Sequence, residues 1–283
     1  MGKNRVRANV GTMMEEFIKA ALAEDVGRGD LYALVEPSVS ASARIITKSD
    51  GVIAGVEYIN VLAKLEDFEI SWNLHDGEEF LKGDVLANIS GTSHVILKIE
   101  RTLLNMLLHA SSIATLTRKY VDIIRPYGTK LLDTRKTRPQ LRVFEKYATR
   151  CGGAVNHRMG LDDSLMLKDT HLKTIENLKE YIKKARKKIP FTTKIEVEAE
   201  TFHIAKEAFA SGADIVMCDN MTPDEIVEVV KYRDDNFSHV LLEASGNISL
   251  ETIESYAKTG VDAISSGSLI HQANWIDLSM KID

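Results

Sequence analysis

The segment from Asp133 to His171 gathers groups able to carry positive charge, among them Arg135, Lys136, Arg138, Arg142, Arg150, His157, Arg158, Lys168 and His171. They alternate with short apolar runs, so each basic cluster closes a strand-like stretch. Cations are not buried cheaply without partners. A chain of formal net charge −5 that still concentrates cations beside strands is building a pocket for a polyanion. A nucleic-acid tail would be a solid basic run without apolar periodicity, and the acidic balance argues against broad nucleic-acid binding.

Those groups need elements to hold them. From Lys130 onward, strand-like runs (KLLDTR, GAVNHR, SLMLKD, TKIEVE, DIVMCDN, VLLEAS, DAISSG) alternate with helical patterns. Such alternation implies parallel pairing with right-handed crossovers. Seven strands predict an α/β barrel one short of the usual eight, an incomplete TIM-like barrel, with an open doubly wound sheet as the alternative. No GxGxxG follows a strand, so a dinucleotide site has little support.

Barrel chemistry gathers at the carboxyl ends of strands. Here those ends carry Asp133 to Lys136, then Asn156 to Arg158, Lys168 and Asp169, Glu196 and Glu198, Asp219 and Asn220, Glu243 to Gly246, and Ser265 to Ser268. Period-2 alternation turns Lys194, Glu196 and Glu198 inward and Ile195, Val197 and Ala199 towards the helices. Two inward carboxylates require cations or a metal; for Glu196 the expected neutralising partners are Lys194 and Arg135. Cations suit an acidic substrate, carboxylates suit a divalent metal or ribose hydroxyls, and a Ser-Gly loop suits a terminal phosphate. Together they describe a phosphorylated sugar meeting a small acid.

Upstream, an amphipathic helix is expected from about Glu15 to Glu24. Strands follow at SARIITKSD, GVIAGVEY, FEISWNLHDG and DVLANISG, with a helix from Tyr58 to Glu66 and a long one from Lys98 to Ile124. DGEEFLKGDVLANISG resembles a biotinyl or lipoyl carrier hairpin but lacks Met-Lys-Met, and reads as plain sheet. The length of 283 residues allows two modest domains: 1–115, with 272–283 packing back on it, and 116–271. The two cysteines, Cys151 and Cys218, are too few for a disulfide framework, so a cytoplasmic protein is expected. No apolar run reaches membrane-spanning length. The basic segment 1–12 lacks the apolar stretch of a secretory signal and reads either as an arm or as a foreign leader ahead of Met13 or Met14.

The motifs DTRKT, CGGAVNHRMGL, LMLKD, EVEAE, DIVMCDN and LEASGNIS, with EDVGRGD and ERTLLN upstream, resemble those of the quinolinate phosphoribosyltransferases. The resemblance spans nearly the whole chain. It implies an N-terminal α/β sandwich plus a seven-stranded barrel, a homodimer or larger assembly with shared active sites, and Mg2+ as cofactor. The implied reaction joins quinolinate to phosphoribosyl pyrophosphate, giving nicotinate mononucleotide, pyrophosphate and CO2. Arg101, Arg135, Lys136, His157, Arg158 and Lys168 match positions around the quinolinate carboxylates, with Arg101 reaching in from a neighbouring subunit. Glu198 and Asp219 match the metal and phosphoribosyl side, and Ser245, Gly246, Gly267 and His271 the phosphate end. Lys136, Lys168, Glu198 and Asp219 are the expected catalytic group. Two loops depart from the family pattern: Thr170 stands where KDNH is usual, and Arg138 with Gln140 where TTPG is usual. A Schiff-base aldolase using Lys168 and a molybdenum-transport-associated paralogue are the competing readings.

Overall fold

The computed structural model describes the chain from Lys3 to Asp283, and its side chains from Thr12 onward. Of the expected N-terminal arm, Met1 and Gly2 lie outside the described residues. Contacts divide the chain into two compact units, 1–115 with 274–283, and 116–273.

In the first unit, α1 (Lys3–Val26) starts well before the expected Glu15. Its Ile18 and Leu22 are buried, and Phe17 meets Tyr58 edge-on at 5.9 Å. The sheet strands are β1 (Ser40–Thr47), β2 (Gly51–Val52), β3 (Glu69–Trp72), β4 (Glu79–Phe80) and β5 (Val85–Thr92), with α2 (Val56–Glu66) between β2 and β3. GVIAGVEY is therefore a strand for two residues only. Gly55, at φ 118°, turns the chain into α2, and Asp76 Oδ1 accepts from the N–H groups of Gly55 and Val56 at 2.9 and 3.1 Å. A cap supplied from a distant loop starts the helix where local alternation still reads as strand. β2 pairs with β4, not β4 with β5, so the carrier-like segment forms no hairpin. Helix α3 (Ser93–Ile124) begins five residues before the expected Lys98.

The second unit holds β6 (Lys130–Leu132), α4 (Arg142–Cys151), β7 (Leu165–Leu167), α5 (Asp169–Leu172), α6 (Leu178–Arg186), β8 (Ile195–Ala199), α7 (Phe202–Ser211), β9 (Ile215–Asp219), α8 (Pro223–Asn236), β10 (Leu241–Ser245), α9 (Ile253–Ala257), β11 (Ala263–Ser265) and α10 (Ser268–His271). Strand β12 (Leu278–Ile282) follows and pairs with β1 of the first unit, in a sheet ordered β12-β1-β5-β3.

The six parallel strands run β6-β11-β10-β9-β8-β7. In chain order the last of these strands, β11, pairs with the first, β6, as in a sheet closing into a barrel. The seventh strand, expected at GAVNHR, is reduced to a single parallel bridge between Leu132 and Val155. Gly152 and Gly153 turn the chain there; Val155 still bonds the backbone of Leu131 and Asp133, but the N–H groups of His157 and Arg158 go to side chains rather than to a ladder. Ile195, Val197, Ala199, Val216, Cys218, Leu242, Ala244 and Ile264 face the helices in one apolar core. The alternate positions are thereby turned inward. Thr222 caps α8 in a reciprocal box with Glu225, with Pro223 in the first turn. Thr201 and Asn177 cap α7 and α6. Among the described residues, no helix is long and apolar enough to cross a membrane.

Candidate active site

A cavity of about 470 Å³ opens at the carboxyl ends of the barrel strands. Arg135, Lys136, His157, Arg158 and Lys168 line one part of it; Glu198, Asp219, Ser245 and Gly246 line another. Gly267 is adjacent: a Cβ there would lie 2.9 Å from Lys136 Cδ and 3.5 Å from the ring of His271. His271 itself is exposed. Arg101 is exposed on α3 in the first unit and is not among the lining residues. Of the other lining residues, the sequence places Asn220, Glu243 and Ser265 at strand ends without a role, and Met166, Met217 and Asn247 are missed. The inward periodicity of β7, β9, β10 and β11 carries the signal for most of these.

The cations are held by a buried network that spacing did not reveal. Asp133 and Lys146 are both fully buried and form an ion pair. Asp133 Oδ1 also accepts from the His157 N–H at 2.9 Å, while Oδ2 accepts from Thr149 Oγ1 at 2.8 Å and Asn156 Nδ2 at 2.5 Å. Lys146 donates onward to the Arg158 carbonyl at 3.3 Å. These side chains replace the missing ladder of the seventh strand and fix the backbone that carries His157 and Arg158. Glu145, with a fully buried side chain, accepts from the Arg138 backbone and guanidinium at 2.9 and 2.7 Å and anchors the loop after Arg135 and Lys136.

Glu196 and Glu198 do not find the expected partners. His157 Nε2 lies 3.2 Å from Glu196 and 3.2 Å from Glu243, and Lys168 Nζ donates to Glu198 at 2.7 Å. Lys194 precedes β8 rather than pointing inward from it. Two influences oppose each other at His157. Burial disfavours its charged form, but the hydrogen bonds to Glu196 and Glu243 and their charges outweigh it and push the pKa up to about 10. Yet the Arg158 N–H donates to Nδ1 at 2.8 Å, which leaves that nitrogen no room for a proton. The geometry therefore places the ring proton on Nε2 and any further proton on the carboxylate side, where burial pushes Glu196 up.

The remaining charges are uneven. Burial, and then the neighbouring Arg135, hold Arg158 below the usual guanidinium range. Arg135 Nη1 is buried and finds no acceptor among the described residues. In a cavity wall, such a donor suits an anionic oxygen of a substrate. Burial, then the Glu198 carboxylate, raise Asp219. Two oxygen donors that repel each other at a cavity edge match a hard divalent cation. Gly246 sits at φ 96°, and a Cβ there would fall 2.3 Å from Asn220 Oδ1. The ends of β9 and β10 can approach this closely only around a glycine. Lys168 has a carboxylate partner and a side chain 47% exposed, unlike the desolvated lysines of Schiff-base enzymes. Burial pushes the Cys218 thiol up to about 12, which makes it a packing residue.

Parallel strands ending in a cationic wall, an acidic edge and a Ser-Gly loop fit a barrel transferase acting on anionic substrates. The family described as quinolinate phosphoribosyl transferase matches with its N-terminal domain over residues 30–111 and its C-terminal domain over residues 113–281. This chain belongs to the quinolinate phosphoribosyltransferase family. It is 39% identical to the probable nicotinate-nucleotide pyrophosphorylase [carboxylating] of Bacillus subtilis, covering 95% of this chain and 93% of that one. It is 38% identical to the Synechocystis protein of the same description, covering 95% and 92%. The solved nicotinate-nucleotide pyrophosphorylase of Francisella tularensis is 35% identical, with a TM-score of 0.91 over 96% of this chain and 97% of that one.

Proposed function

We propose that this chain transfers the phosphoribosyl group of phosphoribosyl pyrophosphate to the ring nitrogen of quinolinate. Carbon dioxide is lost, leaving nicotinate mononucleotide and pyrophosphate in the synthesis of NAD. The observation that carries the reading is the buried, unpartnered Nη1 of Arg135 in a wall shared with Lys136, Arg158 and Lys168. Adjacent carboxylates on one ring need several cations at fixed spacing, and arginine supplies paired donors for them.

The transition state at the anomeric carbon has oxocarbenium character, so the protein contributes positioning and electrostatics. Arg135, Arg158 and Lys168 hold the acid and aim its nitrogen at the sugar. The Ser245-Gly246 turn receives the phosphate end. Glu198 and Asp219 would hold Mg2+, directly or through water; when bound it neutralises charge on the departing pyrophosphate. Lys136 and Lys168 are the groups able to offset charge as carbon dioxide leaves. The assembly is a homodimer at least, with Arg101 serving the site of a partner copy, and the free thiols of Cys151 and Cys218 suit the cytoplasm.

Steady-state turnover of phosphoribosyl pyrophosphate with quinolinate, and with nicotinate as control, tests this. Loss of one charge-assisted contact set costs on the order of 2–3 kcal/mol, about 30- to 150-fold in kcat/KM. Comparable kcat/KM for the two acids refutes the assignment.

A further inference from the structure

We propose that Glu196 and Glu243 are positioning residues for the acid substrate, acting through His157 and Arg158. The inference rests on the functional reading above and extends it to two side chains packed against His157, of which Glu243 also lines the cavity.

Glu196 on β8 and Glu243 on β10 come from strands separated by β9, yet both reach the same atom, His157 Nε2, at 3.2 Å. Glu196 is fully buried and Glu243 is 2% exposed. Glu196 meets the ring in a hydrogen bond through Oε1 at 3.4 Å, while Glu196 Oε2 and Glu243 Oε1 find no hydrogen-bond donor among the described residues. Apolar residues of similar volume would fill this layer at no worse cost to stability. What the carboxylates provide is geometry. They hold Nε2–H on their own side of the ring, and so leave Nδ1 as an acceptor facing the Arg158 N–H at 2.8 Å.

That bond is one of several that fix Arg158. Its Nη1 donates to the Ser164 carbonyl at 3.0 Å, Nη2 lies 3.5 Å from Met166 Sδ, and its carbonyl receives Lys146. Take away either carboxylate, and Nε2–H is free to turn to other acceptors. The ring then rotates, the Arg158 N–H loses its acceptor, and the guanidinium shifts relative to Arg135. The carboxylates also place negative charge behind a wall of mutually repelling cations.

The same three side chains have the composition of a metal site, with ligand atoms within 4.8 Å of one another. A metal on Nε2 would need the lone pair there and the proton on Nδ1. Nδ1 already receives an N–H, so the ring is set up as a donor to the carboxylates and not as a ligand.

The test uses the full-length chain with Glu196→Gln and Glu243→Gln, each alone and in a His157→Asn background. Dissociation constants for quinolinate and for phosphoribosyl pyrophosphate are read by titration calorimetry. Each glutamine substitution is expected to weaken quinolinate about tenfold and phosphoribosyl pyrophosphate less than twofold. In the His157→Asn background the same substitutions should change quinolinate affinity less than twofold. Equal effects with and without His157, or equal weakening of both substrates, overturn the proposal. An independent arm is 15N NMR of His157 in the unsubstituted protein. It should show the proton on Nε2 and none on Nδ1; a ring protonated at Nδ1, or one that loses its Nε2 proton on adding Zn2+, overturns the proposal. This arm needs no substrate. Absence of turnover in the unsubstituted chain would refute the functional reading while leaving the histidine geometry to be judged on its own.

Discussion

Lys146→Met and Asp133→Ala break the same buried ion pair but should not cost the same. Removing one partner of a buried pair costs about 3–5 kcal/mol, because the other charge is left uncompensated. In Lys146→Met the Asp133 carboxylate keeps three donors, the His157 N–H, Thr149 Oγ1 and Asn156 Nδ2. That places its cost near 3 kcal/mol. In Asp133→Ala the His157 N–H loses its acceptor, Thr149 and Asn156 keep only the Lys146 carbonyl, and the Lys146 ammonium loses its counter-ion. The cost should then reach 5 kcal/mol or more, each buried unsatisfied group adding about 1–3 kcal/mol. At about 2–4 °C per kcal/mol for a unit of this size, the lysine variant should melt roughly 6–12 °C lower. The double variant Asp133→Leu/Lys146→Met removes both charges and should cost clearly less than the sum of the single changes. Calorimetric melting of the four proteins decides. Additive losses, or a Lys146→Met cost below about 1 kcal/mol, as is typical of exposed pairs, would show that the pair does not anchor the segment bearing His157 and Arg158.

Three further outcomes follow from the geometry. Asp219→Asn should impair use of phosphoribosyl pyrophosphate more than quinolinate binding, as calorimetry with each substrate would show. It should also raise the melting temperature of the substrate-free protein at neutral pH. The folded-state pKa of Asp219 is raised by burial and Glu198, so its ionised form is a cost to the fold that is present above the shifted pKa and fades as pH falls through it; a variant no more stable at pH 7 than at pH 4, relative to the unsubstituted chain, contradicts this. Gly246→Ala should abolish turnover, since its φ of 96° is unfavourable for alanine and Asn220 Oδ1 lies 2.3 Å from the new carbon; kcat within tenfold of the parent would refute the close approach. On the proposed shared-site homodimer, Arg101→Ala mixed with Lys168→Ala, each expected to be inactive alone, should regain partial activity after subunit exchange, because each hybrid dimer would have one site with both residues intact; no recovery despite verified exchange would mean that Arg101 does not serve a partner's site.

The barrel was legible because its strands bury one face against helices, so alternation and polar ends both show in the text of the chain. The cationic wall and the Glu198-Asp219 edge were legible for the same reason. The supporting network was not. Lys146 lies in LRVFEKYATR, where it reads as an ordinary polar position of an amphipathic helix, and its partner Asp133 lies 13 positions away. Glu196 was seen to face inward, but its partner His157 comes from the segment whose strand pairing fails. Composition at GAVNHR reads as strand and does not encode that failure, since Val155 alone bridges and the residues after it bond to side chains. At Gly55 and Val56 the helix start depends on Asp76, a tertiary contact that local alternation does not encode.

The pairing of β12 with β1 has a consequence for how the molecule is made. Arg44 on β1 meets Asp283 across 239 positions of chain. At about 5–20 residues per second, a ribosome needs roughly 12–48 s to supply the partner after β1 has emerged. During that interval β1 has an open edge, the kind of surface on which strands of other chains add. Closing so long a loop also makes this the contact of greatest sequence separation in its sheet, and such contacts slow folding. Arg44 stands midway along that waiting edge, where a charge discourages premature pairing until its own carboxylate arrives.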